Sequence, residues 1–145
     1  MPGHELIGKE ERKYINDIFD KKDSFYEVNG KRVRKFEKEF SKFVGAKYAV
    51  LVSSGTAAIK TALIAAGVKR GDEVITQAFT FIATVGAIVD VGAIPVIVNV
   101  DETLNMNAEE FEKKITKKTK AVIPVHMLGV STEVDKIIKI AKKNN

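Results

Sequence analysis

The sequence predicts an α/β protein of three layers, with helices on both faces of a mostly parallel sheet. Short apolar runs alternate with amphipathic segments through residues 46–145. The runs are nearly continuous in hydrophobic residues, which is typical of parallel strands covered on both faces. A chain of 145 residues is also long enough for one domain with a substantial core.

Residues 1–45 are expected to form a helical lead-in. Apolar side chains recur at helical spacing over 10–19 and again over 33–44, which predicts two amphipathic helices. The pair Asn29-Gly30 between them indicates a turn.

Residues 46–145 are expected to form the alternating core. Gly67 ends the first helix of this part, a Gly71-Asp72 turn enters the second strand, and Asn107 and Thr80 are candidate helix caps. The predicted strands cover 48–52, 73–76, 95–100 and 121–125, and the predicted helices cover 56–66, 80–89, 108–115 and 132–142. The last helix should bury a stripe of Val134, Ile137, Ile138 and Ala141.

Composition narrows the possible functions. The sequence has no cysteine and two histidines, which argues against disulfides, thiolate catalysis and a transition-metal site. The net charge of +5 comes from dispersed lysines without interleaved aromatic residues, so solvated helix faces are favoured over a nucleic-acid surface. Residues 78–100 are interrupted by Gly92 and Pro95, so we expect no membrane span. The charged start lacks a signal-peptide core, and we expect a cytoplasmic protein.

A Ser/Gly/Thr turn is the most informative feature of the chain. Residues 53–58 (SSGTAA) follow an apolar run and open a helix. The first backbone N–H groups of a helix have no internal partner, and the helix dipole favours an anion there. Gly55 allows close approach, and the Ser and Thr hydroxyls add donors. The turn therefore predicts a phosphate site, with an ordinary Ser/Thr helix cap as the alternative.

Other polar and aromatic residues should share this edge, because ligands of α/β sheets bind at the carboxyl ends of strands. Phe79 and Phe81 follow the second strand, and a ring there can stack on a flat cofactor, although both residues could instead be core. His126 ends the last strand and is either structural or part of the site. An acidic turn at Asp101-Glu102 could bind a cation, but such turns are commonplace.

Seven runs of the sequence, taken in order, resemble a known family. The runs are 45–50 (GAKYAV), 54–58 (SGTAA), 71–75 (GDEVI), 80–84 (TFIAT), 92–96 (GAIPV), 119–123 (TKAVI) and 125–129 (VHMLG). The first three resemble pyridoxal-phosphate (PLP) enzymes of fold type I, and the last four resemble the DegT/DnrJ/StrS-type sugar aminotransferases.

The resemblance implies the N-terminal part of a PLP-transferase large domain, truncated, with PLP as the cofactor. It implies that Gly55, Thr56 and Ala57 bind the cofactor phosphate, that Phe81 stacks on the pyridine ring, and that His126 lies near the cofactor. The family transfers an amino group, usually from glutamate, to a keto sugar carried on a nucleotide.

The same resemblance implies that the cofactor-binding lysine and the acid beside the pyridine nitrogen lie beyond Asn145. Two alternatives follow: a non-catalytic binding or regulatory module of the same fold, or an inactive gene fragment. The family's intervening strands would also be missing. Either strands 48–52 and 121–125 pair directly, or a partner chain fills the gap between them. We expect direct pairing, with a homodimer or a partner chain covering the open sheet edge.

Overall fold

The computed structural model of the chain describes residues 4–20 and 30–144. It contains short 3-10 turns at His4–Leu6 and Met127–Gly129. The predicted turn at Asn29-Gly30 lies partly outside the described residues. The helices are α1 (Lys9–Asp20), α2 (Lys31–Phe43), α3 (Gly55–Ala65), α4 (Ile82–Asp90), α5 (Ala108–Lys114) and α6 (Val134–Lys143), and the strands are β1 (Glu73–Gln77), β2 (Ile94–Val98) and β3 (Thr119–Ile123).

The chain divides into two compact units, Met1–Leu51 and Val52–Asn145. The first unit contains α1 and α2, so the two predicted N-terminal helices are confirmed. The Arg32 guanidinium forms an ion pair with Asp17 and lies over the ring of Tyr14, 5.9 Å from its centroid. The rings of Phe36 and Phe40, one helical turn apart, stack with centroids separated by 5.6 Å.

The predicted strand at 48–52 is wrong. These residues form no strand and have no strand partner among the described residues, and the Tyr48 and Val50 side chains are each 76% exposed. The Leu51 N–H donates to Glu37 Oε1 at 2.8 Å rather than to a neighbouring strand. Because strand 48–52 does not form, the predicted pairing between it and 121–125 is also wrong. An apolar run becomes a strand only where another strand accepts its backbone hydrogen bonds.

The second unit contains the sheet, whose strand order is β2-β1-β3. Both neighbours run parallel to β1, which confirms the predicted parallel sheet. Ile75 lies opposite Val96 on one side and Val122 on the other. In the part of the chain that the structure describes, β3 is paired on one side only.

Two hydrophobic clusters cover the two faces of this sheet. The consecutive residues Val74 and Ile75 are both fully buried, and successive strand residues point to opposite faces. Val74 belongs to a cluster with α3 and α4, whereas Ile75 belongs to a cluster with α5 and α6. The predicted three-layer α/β/α arrangement is therefore confirmed. Its core residues are Leu63, Val68, Val74, Ala87, Ile88 and Ala93 on one face and Ile75, Val98, Met106, Ala108, Phe111, Ile137 and Ile140 on the other.

Of the two helix caps predicted from the sequence, one is present in the structure and the other is not. The Asn107 side chain accepts hydrogen bonds from the N–H groups of Glu109 and Glu110, so the predicted cap of α5 is confirmed. The predicted cap at Thr80 is wrong, because Phe81 occupies the N-cap position of α4 and the Thr80 hydroxyl is hydrogen-bonded to Thr84 Oγ1 at 2.9 Å.

The predicted buried stripe of α6 needs one change. Ile137 is buried as expected, but Ile138 is 42% exposed and Ile140 is buried. The stripe therefore runs through residues three apart, because α6 places Ile137 and Ile140 on its inner face. No helix in the described ranges is both long and apolar enough to cross a membrane.

Candidate functional site

The turn that opens α3 carries two backbone N–H groups without a partner among the described residues. Ser54 occupies the N-cap position, and its hydroxyl oxygen accepts a hydrogen bond from the Ala57 N–H at 3.1 Å. The Ala58 N–H donates to the Ser54 carbonyl at 3.0 Å. The N–H groups of Gly55 and Thr56 precede these two and remain available at the positive end of the helix dipole. The cap reading of Ser54 is therefore confirmed, and the cap leaves donors for an anion.

The space around this turn is open to a ligand. Gly55 and Thr56 are exposed, and no described neighbour lies within 4 Å of the position that a Cβ on Gly55 would take. Two backbone N–H groups and the Thr56 hydroxyl form the kind of donor set that a phosphate monoester accepts. The residues present therefore fit a cofactor phosphate.

Phe81 lies between β1 and α4 and is exposed at the end of the sheet. Its side chain is 76% exposed, and Phe79 two residues earlier is 47% exposed. The reading of both aromatics as core residues is therefore wrong. As the N-cap residue of α4, Phe81 has an extended backbone, with φ −70° and ψ 141°. Its ring is free to stack on a flat ligand.

His126 follows β3 and is exposed at the same end of the sheet. Its Nδ1 accepts a hydrogen bond from the Thr132 N–H at 3.1 Å, across the turn formed by Met127–Gly129. Leu128 in that turn has φ 51°, a left-handed conformation that is uncommon for a residue other than glycine. The ring is thus anchored at one nitrogen, and Nε2 has no acceptor in the described parts of the chain.

Gln77 is a residue that the sequence analysis did not single out. It is fully buried at the last position of β1. Its Nε2 donates to the carbonyl oxygens of Phe79 and Leu104, each at 3.0 Å, and its Oε1 accepts from the Val125 N–H at 3.0 Å. One side chain therefore connects the segments that follow all three strands. The available signal was a large polar residue at the carboxyl end of the strand.

Asn105 makes a second set of buried contacts. Its Oδ1 accepts from the Met127 N–H at 3.0 Å, and its Nδ2 donates to Thr103 Oγ1 at 2.9 Å. The bond from Met127 ties the loop after β2 to the segment around His126, and the bond to Thr103 lies within that loop. No pattern in the sequence distinguished Asn105 from the other polar residues of its loop.

The acidic turn has a structural role. Asp101 Oδ1 accepts from the Thr103 hydroxyl at 2.6 Å, from the Thr103 N–H at 2.8 Å and from the Asn105 N–H at 3.3 Å. The Thr103 hydroxyl is the largest cause that holds the pKa of Asp101 below its usual value; the two N–H groups and the charge of Lys136 act in the same direction, and partial burial opposes them. In the described ranges, no group of three or more His, Cys, Asp or Glu side chains is arranged to hold a metal ion.

These residues lie at the C-terminal edge of the sheet, which we call the rim: residues 77–81, 99–107 and 124–127. Hydrogen bonds of Gln77 and Asn105 connect the three rim segments directly. The turn at residues 53–57 is positioned differently, because α3 packs through Leu63 and Ile59 on the cluster that includes Val74. Also in α3, the Lys60 ammonium lies 3.6 Å from the Asp90 carboxylate and forms a partly exposed ion pair with it.

Comparison with known proteins adds an independent observation. The model of the DegT/DnrJ/EryC1/StrS aminotransferase family matches residues 5–145. The chain belongs to this family. Membership confirms the resemblance that the seven sequence runs indicated.

Several known proteins are similar to this chain in sequence or in fold. The chain is 46% identical over 140 residues to the spore coat polysaccharide biosynthesis protein SpsC of Bacillus subtilis, covering 96% of this chain and 35% of that protein. The aminotransferase from Psychrobacter cryohalolentis superposes with a TM-score of 0.90 at 34% identity, covering 96% of this chain and 35% of the other. A putative sugar aminotransferase from Streptococcus pneumoniae in its PLP form superposes with a TM-score of 0.80 at 33% identity, covering 89% and 33%. The chain thus spans about a third of the length of these relatives.

Proposed function

We propose that this chain forms the N-terminal part of the large domain of a cytoplasmic, PLP-dependent aminotransferase that acts on a nucleotide-linked keto sugar. Its own contribution is half of the cofactor site: residues 54–57 hold the phosphate, Phe81 stacks on the ring, and His126 lies beside the ligand. Family membership and relatives named for aminotransfer and polysaccharide biosynthesis support this proposal.

The observation that carries the proposal is the pair of unpartnered N–H groups at Gly55 and Thr56. Ser54 satisfies the next donor of the helix, at Ala57, and so fixes the geometry of the first turn. The two N–H groups lie at the N-terminus of the helix, which is the positive end of its dipole. A dianionic phosphate placed there gains charge-assisted hydrogen bonds without a lysine or arginine.

When bound, PLP supplies the electron sink that stabilises negative charge on the substrate carbon next to nitrogen. The residues of this chain hold and orient that group. The α3 turn fixes the phosphate end, and the exposed ring of Phe81 can cover one face of the pyridine. Because Gln77 ties the segment that precedes Phe81 to two other rim segments, the stacking residue is held on a rigid support.

The test is PLP binding to the purified chain, followed by absorbance, with inorganic phosphate as competitor. Gly55→Asp places a negative charge at the phosphate position, and Thr61→Asp places the same charge further along α3. An acid at a helix N-terminus stabilises the helix, so the Gly55 variant should stay folded. We expect Gly55→Asp to weaken PLP binding by about tenfold or more and Thr61→Asp to leave it nearly unchanged.

Two results would contradict the proposal. Equal PLP affinity in the Gly55 and Thr61 variants would place the phosphate elsewhere. If inorganic phosphate did not compete with PLP, the phosphate group of PLP would contribute nothing to its recognition.

A further inference from the structure

Two buried amide side chains fix the backbone on both sides of His126. The Val125 N–H donates to Gln77 Oε1, and the Met127 N–H donates to Asn105 Oδ1, each at 3.0 Å. Gln77 is fully buried and Asn105 is 2% exposed. Hydrogen bonds to buried acceptors are costly to break, because the freed groups would be left without water. The backbone of His126 is therefore held from two directions.

The orientation of both amides follows from their other partners. Gln77 Nε2 faces two carbonyl oxygens, of Phe79 and Leu104, and carbonyl oxygens only accept. Its Oε1 must then face the Val125 N–H, which only donates. Asn105 is oriented in the same way by the Met127 N–H at its Oδ1 and the Thr103 hydroxyl oxygen at its Nδ2.

The ring of His126 is fixed by a donor of the same kind. The Thr132 N–H has one hydrogen to give, and it points at Nδ1 at 3.1 Å. Nδ1 must therefore carry a lone pair, and the proton of the neutral imidazole lies on Nε2. His126 is exposed, and its Nε2 meets no acceptor in the part of the chain that the structure describes.

We propose that His126 is a fixed hydrogen-bond donor, held as the tautomer with its proton on Nε2, which recognises an oxygen acceptor of the ligand at the rim. Gln77 and Asn105 are its positioning residues. The ligand part of this inference rests on the proposed function, with PLP as the ligand. A ring held in this way selects a phenolate, carboxylate, carbonyl or phosphate oxygen, because a protonated Nε2 has no free lone pair and can only donate a hydrogen bond.

The tautomer is tested by nitrogen NMR of ¹⁵N-histidine-labelled protein at mildly alkaline pH. The chain has two histidines, so His4→Gln leaves His126 as the single imidazole observed. We expect one protonated and one unprotonated ring nitrogen, with the protonated one assigned to Nε2. A proton on Nδ1, or two averaged resonances, would overturn the proposal.

Variants then test what fixes the tautomer. Thr132→Pro removes the N–H donor, whereas Thr132→Val keeps it; the first should give averaged resonances and the second the unchanged spectrum. Asn105→Leu should also cause averaging, and Asn144→Leu, which removes an exposed amide near the end of α6, should not. If the Pro or Leu variants fail to fold, the spectrum of the His4→Gln protein still decides the tautomer. An unchanged spectrum in a folded Asn105→Leu protein would show that Asn105 does not position the ring.

The donor role is tested by PLP affinity. His126→Leu removes the donor and should weaken binding by about five- to tenfold, whereas His126→Gln keeps an N–H donor and should retain part of the affinity. If His126→Leu binds PLP as tightly as the parent while Gly55→Asp does not, the donor role is overturned and the proposed function stands. If the parent chain binds no PLP, the donor role and the proposed function both fail, and the tautomer is still decided by the spectrum.

Discussion

The side-chain oxygen of Gln77 accepts a hydrogen bond from the backbone N–H of Val125, 48 residues later in the chain, at 3.0 Å. The two residues belong to neighbouring strand ends, since β1 and β3 pair in parallel. Together with the bonds from Gln77 Nε2 to Phe79 and Leu104, this contact joins three segments through one buried amide.

Replacement of Gln77 should therefore be far more costly than replacement of its neighbour. Gln77→Leu removes three hydrogen bonds made by a fully buried side chain, to the Phe79 and Leu104 carbonyls and from the Val125 N–H, so we expect a loss of about 3 kcal/mol or more of unfolding free energy. Thr76→Val removes one hydrogen bond, from Thr76 Oγ1 to the Ile123 carbonyl at 2.9 Å, and should cost about 1 kcal/mol. Urea denaturation of both variants measures the difference. Equal losses of unfolding free energy in the two variants would mean that the three hydrogen bonds of Gln77 contribute no more than the single hydrogen bond of Thr76.

Thr132 offers a stabilising substitution. Its hydroxyl is buried and has no hydrogen-bond partner among the described residues. Thr132→Val removes a buried hydroxyl whose desolvation penalty is not offset by a hydrogen bond. We therefore expect the free energy of unfolding to rise by about 1 kcal/mol. Thr84→Val is the matched control, because the buried Thr84 hydroxyl is bonded to Thr80 Oγ1 and its loss should not stabilise the protein. Thermal unfolding of both proteins decides, and a Thr132→Val protein that melts below the parent would contradict the expectation.

Two glycines should respond to alanine in opposite directions. Gly92 has φ +78°, and a Cβ there would lie 3.3 Å from both the Cβ and the Cγ of Arg70, so Gly92→Ala should destabilise the protein by about 1–2 kcal/mol. Gly86 lies inside α4 with no neighbour within 4 Å of a new Cβ, and Gly86→Ala should stabilise it by about 0.5–1 kcal/mol. Denaturant midpoints at equal slopes provide the measurement. The same sign for both variants would show that backbone conformation does not control these positions.

The acid sensitivity of the rim should depend on Asp101. Its folded-state pKa lies below the usual value, chiefly through the Thr103 hydroxyl, so the ionised form contributes stability that is present above the unfolded pKa of about 4. That contribution is lost as the pH falls through the lowered folded pKa. Asp101→Asn should be less stable than the parent at neutral pH, and the difference should shrink as the pH falls below about 4. Urea denaturation of both proteins across this pH range measures the difference in their free energies of unfolding. A difference that is independent of pH would exclude the carboxylate charge as the cause.

The sequence was sufficient for elements whose partners lie nearby in the chain. The strands around Val74, Val96 and Val122 were identified from their apolar runs, and Asn107 was identified because capping is a local interaction. The run at 48–52 has the same apolar character and forms no strand. What it lacks among the described residues is a neighbouring strand, and the composition of a segment does not specify its neighbours.

The candidate site divides in a similar way. The turn at residues 53–57, Phe81 and His126 were predicted as site residues from their positions at predicted strand and helix ends. Gln77 and Asn105 were not, because their importance comes from contacts with residues 20 or more positions away. A polar side chain in a buried position has a readable role only once its partners are known.

The bonds of Gln77 also restrict how this protein can change during evolution. Loops normally accept insertions and deletions, because their backbone faces water. Here the segments that contain Phe79, Leu104 and Val125 each place one backbone group at a fixed distance from the same amide. An added or deleted residue in any one of them moves that group and leaves a buried partner unsatisfied. Selection can therefore vary the exposed side chains of these loops while their lengths stay constant.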